Sequence, residues 1–369
     1  MKKLLLFWVV LGIVSKGLAQ VNNRVLADEI PIQAADSGKF FLNVKTNSYF
    51  RNTEYFNPIE LGRTLLGYQV QPLLAYQLNA FVKIQTGLYA RRDFGASEVF
   101  TDLQPVFSIK AQKGVFSMVF GTLEGALTHG FLEPIFDVNR NIEHRNEEGI
   151  QFKIHSQQSF VDLYIDWNRY ISRSSNEQEK FVVGLHAKHN LLAKEKSYKI
   201  IPDLQIIGKH HGGQIGSNND PVTMRWNTAL GLRFEHAVNS HSAFFDVNYL
   251  SYAEPDGSGL WPFKNGIAYF SNLGIQKGAW TISSSLYLGN QFLAPIGTPI
   301  YASQSIEDPK LTEKERKLCY LRLVYEKPLM KSQIKTSFRL EPVYDLNKAL
   351  LDYSYSLYLV YNFSHKLSK

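Results

Sequence analysis

From Asp352 to Phe363 the chain alternates. Tyr353, Tyr355, Leu357, Leu359, Tyr361 and Phe363 share one parity; Ser354, Ser356, Tyr358, Val360 and Asn362 share the other. Successive strand side chains point to opposite faces, so one face is apolar with aromatic ends and the other mostly polar. This is the pattern of a strand with hydrocarbon on one side and a watery interior on the other. It recurs upstream. Met224, Trp226, Thr228, Leu230, Leu232 and Phe234 oppose Arg225, Asn227, Gly231, Arg233 and Glu235, and Val161, Leu163, Ile165 and Trp167 oppose Asp162, Tyr164, Asp166 and Asn168. Trp280, Ile282, Leu286 and Leu288 oppose Thr281, Ser283, Ser285 and Tyr287. A charge on the lipid face near the midplane costs roughly 2–4 kcal/mol, so the charged parity points inward. Leu103 to Ala111 is less regular, and Pro105 and Pro202 each remove a ladder donor.

The pattern predicts strands near 39–50, 61–77, 81–92, 99–111, 115–124, 148–156, 160–171, 179–191, 197–208, 222–237, 242–252, 265–276, 279–289, 316–327, 332–343 and 351–363. Connections after even-numbered strands are tight, as at Gln112-Lys113-Gly114 and Lys277-Gly278. Those after odd-numbered strands are mostly longer, as at 52–60, 125–147, 209–221, 253–264 and 290–315. That rhythm is the wiring of a single-chain membrane barrel with both termini on the short-turn side. The fold expected is an all-β, transmembrane, antiparallel up-and-down β-barrel of about sixteen strands.

Composition supports this class. The hydrophobic fraction is 44% and the mean hydropathy −0.19, too polar for a helical membrane protein. The 20 Tyr and 24 Phe suit strands and interface girdles. Met-Lys-Lys, the apolar run Leu4 to Val14 and the small residues before Gln20 form a signal peptide over 1–19, cut after Ala19. Its loss takes Lys2, Lys3 and Lys16 and lowers the net charge from +7 to +4, which gives no argument for nucleic acid. Residues 20–38, with Pro31 and no periodicity, are expected to be a periplasmic leader, and 39–369 the barrel domain. The single Cys319 excludes an internal disulfide framework and is expected to be a strand filler. No motif implies a cofactor.

The signal peptide, the alternating segments and the aromatic strand ending at Phe363 resemble the porin-like outer-membrane β-barrels of Gram-negative bacteria. The Tyr- and Asn-rich style is similar to Bacteroidota examples. The resemblance covers nearly the whole mature chain. It implies an outer-membrane location and contact with membrane lipids. It also implies recognition of the last strand by the barrel-assembly machinery, although Ser364 to Lys369 follow Phe363. A homotrimer is the usual assembly of general porins. About sixteen strands leave room for an aqueous channel. The function expected is a non-enzymatic porin for passive diffusion of small hydrophilic solutes.

The inward parity places Lys83, Arg91, Lys110, Lys153, Arg225, Arg233, Arg322 and Arg339 in the lumen, with Asp162, Asp166 and Glu235 against them. The lean is basic, hence a weak anion preference. In general porins the third outer loop folds inward. The matching stretch here is 125–147, which makes Glu133, Asp137, Arg140 and Glu143 candidates for a constriction.

Two other functions compete. A plugged barrel could act in surface polysaccharide binding or assembly, with Tyr252, Trp261 and Tyr301 as loop aromatics that stack on sugars. A lipid hydrolase could use Lys209-His210-His211-Gly212-Gly213. Outer-membrane phospholipases carry a His and a nearby Ser at such a strand end, with an Asn on the neighbouring strand, and Arg225-Trp226-Asn227 follows here. Gly212 and Gly213 occupy the place of the nucleophile, and Ser217 lies deeper in the loop. Adjacent His point to opposite faces of a strand, which weakens a metal site.

Overall fold

The computed structural model describes residues 25–173, 175–193, 197–213, 220–238, 241–329 and 333–367. The signal peptide expected at 1–19, the start of the expected leader and Ser217 lie outside these residues.

Sixteen antiparallel strands form one closed barrel, each paired with its neighbours in sequence and β1 with β16. They are β1 (Lys39–Glu54), β2 (Thr64–Gln77), β3 (Val82–Asp93), β4 (Asp102–Lys113), β5 (Phe116–Thr122), β6 (Glu148–His155), β7 (Ser159–Arg169), β8 (Glu179–His189), β9 (Tyr198–Gly212), β10 (Thr223–Val238), β11 (His241–Ala253), β12 (Asn265–Lys277), β13 (Trp280–Asn290), β14 (Glu315–Pro328), β15 (Lys335–Asp345) and β16 (Leu350–Lys366). Every expected strand is present. Pro202 is tolerated in β9, opposite Leu232. β16 runs on past Phe363, and Lys366 pairs with Phe41 at the seam.

The turns after β4 and β12 are two residues long, with Gly114 (φ 60°) and Gly278 (φ 57°) in the left-handed region that tight hairpins require. The opposite end carries the long connections. Two connections break the rhythm, 190–197 on the short side and 346–349 on the long side. Closing the sheet removes its edges, and an apolar outer belt keeps the spanning backbone among lipid tails. Leu163, Leu230, Phe234, Val247, Tyr269, Leu321 and Leu357 are exposed on that belt. Aromatic pairs mark its rims, with Trp280 against Tyr325 (4.6 Å) at the short-turn end and Trp167 against Phe181 (5.2 Å) at the long-loop end.

The buried core lies inside the barrel. Phe131, Leu132, Ile135 and Phe136 from the 123–147 connection meet Phe292, Leu293, Ile296 and Ile300 from the 291–314 connection. Both sets pack on inward side chains such as Tyr164, Ile207, Leu250, Phe270 and Tyr320. Between the two loops, Asp137 N–H donates to Ile296 O at 2.7 Å. Segment 25–36 also lies against the inner wall. Leu26 packs with Tyr49, Ile142 and Tyr358. Asp28 pairs with Lys45 of β1 and, at 3.1 Å, with Arg145 of the loop.

Candidate functional site

The loop after β5 sets the interior. Its one α-helical turn, α1 (Arg140–Glu143), crosses the lumen, so Arg91 Nη1 of β3 donates to Ile142 O at 2.9 Å. His129, fully buried, has Nδ1 3.0 Å from Asp162 Oδ2 of β7 and Nε2 2.8 Å from Glu147 Oε2. Its ring stacks on Tyr164 at 3.8 Å. Its carbonyl lies 2.7 Å from His186 Nδ1 of β8, and Leu132 N–H donates to Gln205 Oε1 of β9 at 2.9 Å. Glu124 receives Lys110 at 2.7 Å, Lys153 at 2.8 Å and the N–H of Ile30 at 2.9 Å. These ties pin the loop and the N-terminal segment to opposite parts of the wall.

The constriction candidates separate. Arg140 bonds Glu147 at 3.0 Å and lies 3.5 Å from Asp166. Glu133 pairs with Arg322. Asp137 accepts the N–H of Asn139 at 3.0 Å. Glu143 turns away and meets Arg63 at 2.7 and 2.9 Å.

The expected lumen charges are mostly spoken for. Lys83 donates to Pro31 O at 3.0 Å. Arg233 meets Glu235 at 2.7 Å and Asp246 at 2.9 Å. Arg322 meets Glu341 at 3.1 Å, and Arg339 lies 3.6 Å from Glu326. Arg225 stands apart. Among the described residues its guanidinium has no hydrogen bond or ion pair, although it is 6% exposed.

Burial tends to lower the pKa of His129, but the charges of Asp162 and Glu147 outweigh it and raise it to about 9. Burial, with Asp137 nearby, raises Glu60 of the first long connection to about 8. Both folded values exceed the ordinary ones, 6.5 and 4.5. His129 therefore contributes stability that is complete below pH 6.5 and lost as pH rises through about 9; Glu60 contributes stability complete below 4.5 and lost through about 8. The thermal midpoint should fall as pH rises from neutrality past 9, as followed by tryptophan fluorescence. A flat profile across that range would contradict the assignment.

The end of β9 separates its two histidines. His210 faces outward and stacks on Phe181 at 4.6 Å. His211 has the opposite parity and faces in, and its Nε2 is buried with no hydrogen-bond partner among the described residues. It pairs in register with Lys180 of β8 and Thr223 of β10, while Lys209 pairs with Arg225. Gly213 then leaves the strand at φ 129°, where a Cβ would stand 2.4 Å from Ile171 Cδ1.

A second pair joins a hydroxyl to an imidazole. Ser159 Oγ lies 2.8 Å from His189 Nδ1 at the short-turn end, with both side chains exposed. They border a concavity of about 850 Å³ on the outer wall, lined by Val161, Leu204, Leu230, Leu232, Val247 and Tyr269. Among the described residues no carboxylate pairs with His189.

Strand alternation made the wall legible but missed His129, Glu124 and Glu147, which act through loop packing. One available signal was apolar residues on the inward parity, such as Val182, Ile207, Leu250 and Phe270. A wall bathed in water has no need of them.

The fold defines a porin-like outer-membrane β-barrel. The structure is similar to OprD of Pseudomonas aeruginosa, with TM-score 0.51, 9% identity, and coverage of 91% of this chain and 97% of that one. It is also similar to the trimer form of OmpT of Vibrio cholerae, with TM-score 0.52, 7% identity, and coverage of 89% and 100%. A third is opdK of Pseudomonas aeruginosa, with TM-score 0.51, 7% identity, and coverage of 88% and 99%. At these identities the likeness is one of fold alone. No curated protein matches the chain significantly. The chain belongs to the Lipid A 3'-O-deacylase-type family, whose model matches residues 32–369. That family is named for an enzyme, so the expectation of a non-enzymatic protein is overturned. The strand-end residues at 209–213 carry glycines, Gly212 and Gly213, where a serine nucleophile would stand. A hydrolase can instead activate water with a positioned base.

Proposed function

We propose that this protein is an outer-membrane hydrolase that removes an ester-linked acyl chain from a glycolipid of the lipid A type. The single observation that carries the reading is His211. Its unpartnered Nε2 faces the interior at the long-loop rim, one residue from His210 on the lipid face. A substrate with its sugar in the mouth and its chains in the bilayer brings its ester to this rim. His211 Nε2 takes a proton from water as the water oxygen bonds the acyl carbonyl carbon. The ester C–O bond breaks, and the proton passes to the departing sugar oxygen. The products are a fatty acid and a free sugar hydroxyl. Family membership supports the reaction class, and the apolar packing that fills the interior supports a role other than open diffusion.

The test uses refolded protein and lipid A in mixed micelles, read by mass spectrometry of lipid and released fatty acid. The parent protein should remove one acyl chain. His211→Asn should slow release about 100-fold or more, the usual contribution of a positioned base. Ser159→Ala should act at the parent rate, and the reverse pattern moves the chemistry to Ser159 and His189. Intact lipid with the parent protein, together with an ohmic pore in planar bilayers, would return solute diffusion to first place.

A further inference from the structure

We infer that Lys180, Lys209 and Arg225, together with Trp261, form a binding site for a phosphate group, carried in the hydrolase reading above by the sugar of the amphiphile; the inference rests on that reading only for this choice of carrier.

The three cations come from adjacent strands and share the inward parity. Lys209 lies directly across the β9–β10 ladder from Arg225, and Lys180 lies across the β8–β9 ladder from His211. Like charges placed opposite one another destabilise a sheet, and a buried cation left unpaired is costly. Several other inward cations are met by carboxylates, as Lys110 and Lys153 are by Glu124 and as Arg51 and Arg322 are by Glu341. Among the described residues these three are not. The Lys180 ammonium has no hydrogen bond or ion pair among the described residues, and Lys209 reaches only the carbonyl of Pro295, at 3.4 Å. The connection at 214–219 reads Gln-Ile-Gly-Ser-Asn-Asn and contains no carboxylate. Glu254 is the acid facing Arg225, and it accepts Ser258 without pairing with the guanidinium.

Unused polar atoms gather at the same place. Arg225 Nε, Trp261 Nε1 and Tyr252 Oη are all buried and have no hydrogen-bond partner among the described residues. The Trp261 ring covers the guanidinium at 3.7 Å, a contact that uses the face of the fork and none of its N–H donors. A planar fork, two ammonium groups and an indole N–H suit a tetrahedral oxyanion with several acceptor oxygens. A neutral sugar would leave the cations repelling one another.

The experiment is isothermal titration of refolded protein in phosphate-free detergent. The probes are lipid A, enzymatically dephosphorylated lipid A and inorganic phosphate. Lipid A should bind at least about tenfold more tightly than the dephosphorylated form, and Arg225→Gln and Lys209→Met should each erase that difference. Lys180→Gln, at the rim, provides a milder variant that keeps the test available if either buried change prevents folding. Inorganic phosphate binding as tightly as lipid A would assign the site to the free ion and remove the lipid carrier. Equal binding of the two lipids by the parent protein, or an unchanged difference in Arg225→Gln, would overturn the site. Phosphate-dependent binding without fatty acid release would sink the hydrolase reading alone.

Discussion

Replacing His129 with leucine is expected to destabilise the protein by roughly 3–5 kcal/mol, the cost of breaking a buried charged pair from one side. The substitution removes the only imidazole between Asp162 and Glu147 and leaves both carboxylates in a fully buried site. Lys153 still reaches Asp162 at 3.5 Å and Arg140 still reaches Glu147, so the loss is shared. The stacking on Tyr164 is lost as well. His129→Gln should recover part of the stability, because an amide can still donate to one acid. Chemical denaturation followed by heat-modifiability on gels measures both. A leucine variant as stable as the parent would show that the carboxylates do not depend on this ring.

The second large effect is on passage through the barrel. Deleting 132–140 removes Ile135 and Phe136 from the interior and takes away Glu133, the partner of Arg322. The 291–314 connection then loses its partner surface. Conductance in planar bilayers should rise several-fold over the parent, because apolar packing that excludes water is replaced by a hydrated charged wall. An unchanged conductance would mean that the loop does not limit the passage. The same deletion should leave the barrel heat-modifiable, since the strand ladders do not include these residues.

How far the sequence carries differs between wall and interior. Alternation is a local property with a strong energetic cause, since one misplaced charge on the lipid face is costly. That is why Arg225, Arg233 and Arg339 could be set facing inward from their neighbours alone. The interior obeys no such period. His129 gives no local sign that it will lie between Asp162 and Glu147, because the three meet through a fold of the loop. The leader is a similar case: Leu26 and Asp28 read as polar tail but find Tyr358 and Arg145 across the lumen. The strand-end histidines were visible and their opposed facing followed from strand geometry. That Arg225 forms no ion pair among the described residues was not visible, because it depends on which acids other strands bring near.

The seam between β1 and β16 joins the first strand made to the last. Leu26 and Asp28 rest on Tyr49, Lys45 and Tyr358, which belong to the two sides of that seam. Their resting place is therefore incomplete until the final strand has been synthesised and zipped home. The segment ahead of β1 must wait for β16, and contacts so distant along the chain form slowly. Insertion should accordingly end with a late, sluggish settling of the interior, after the cylinder itself has formed.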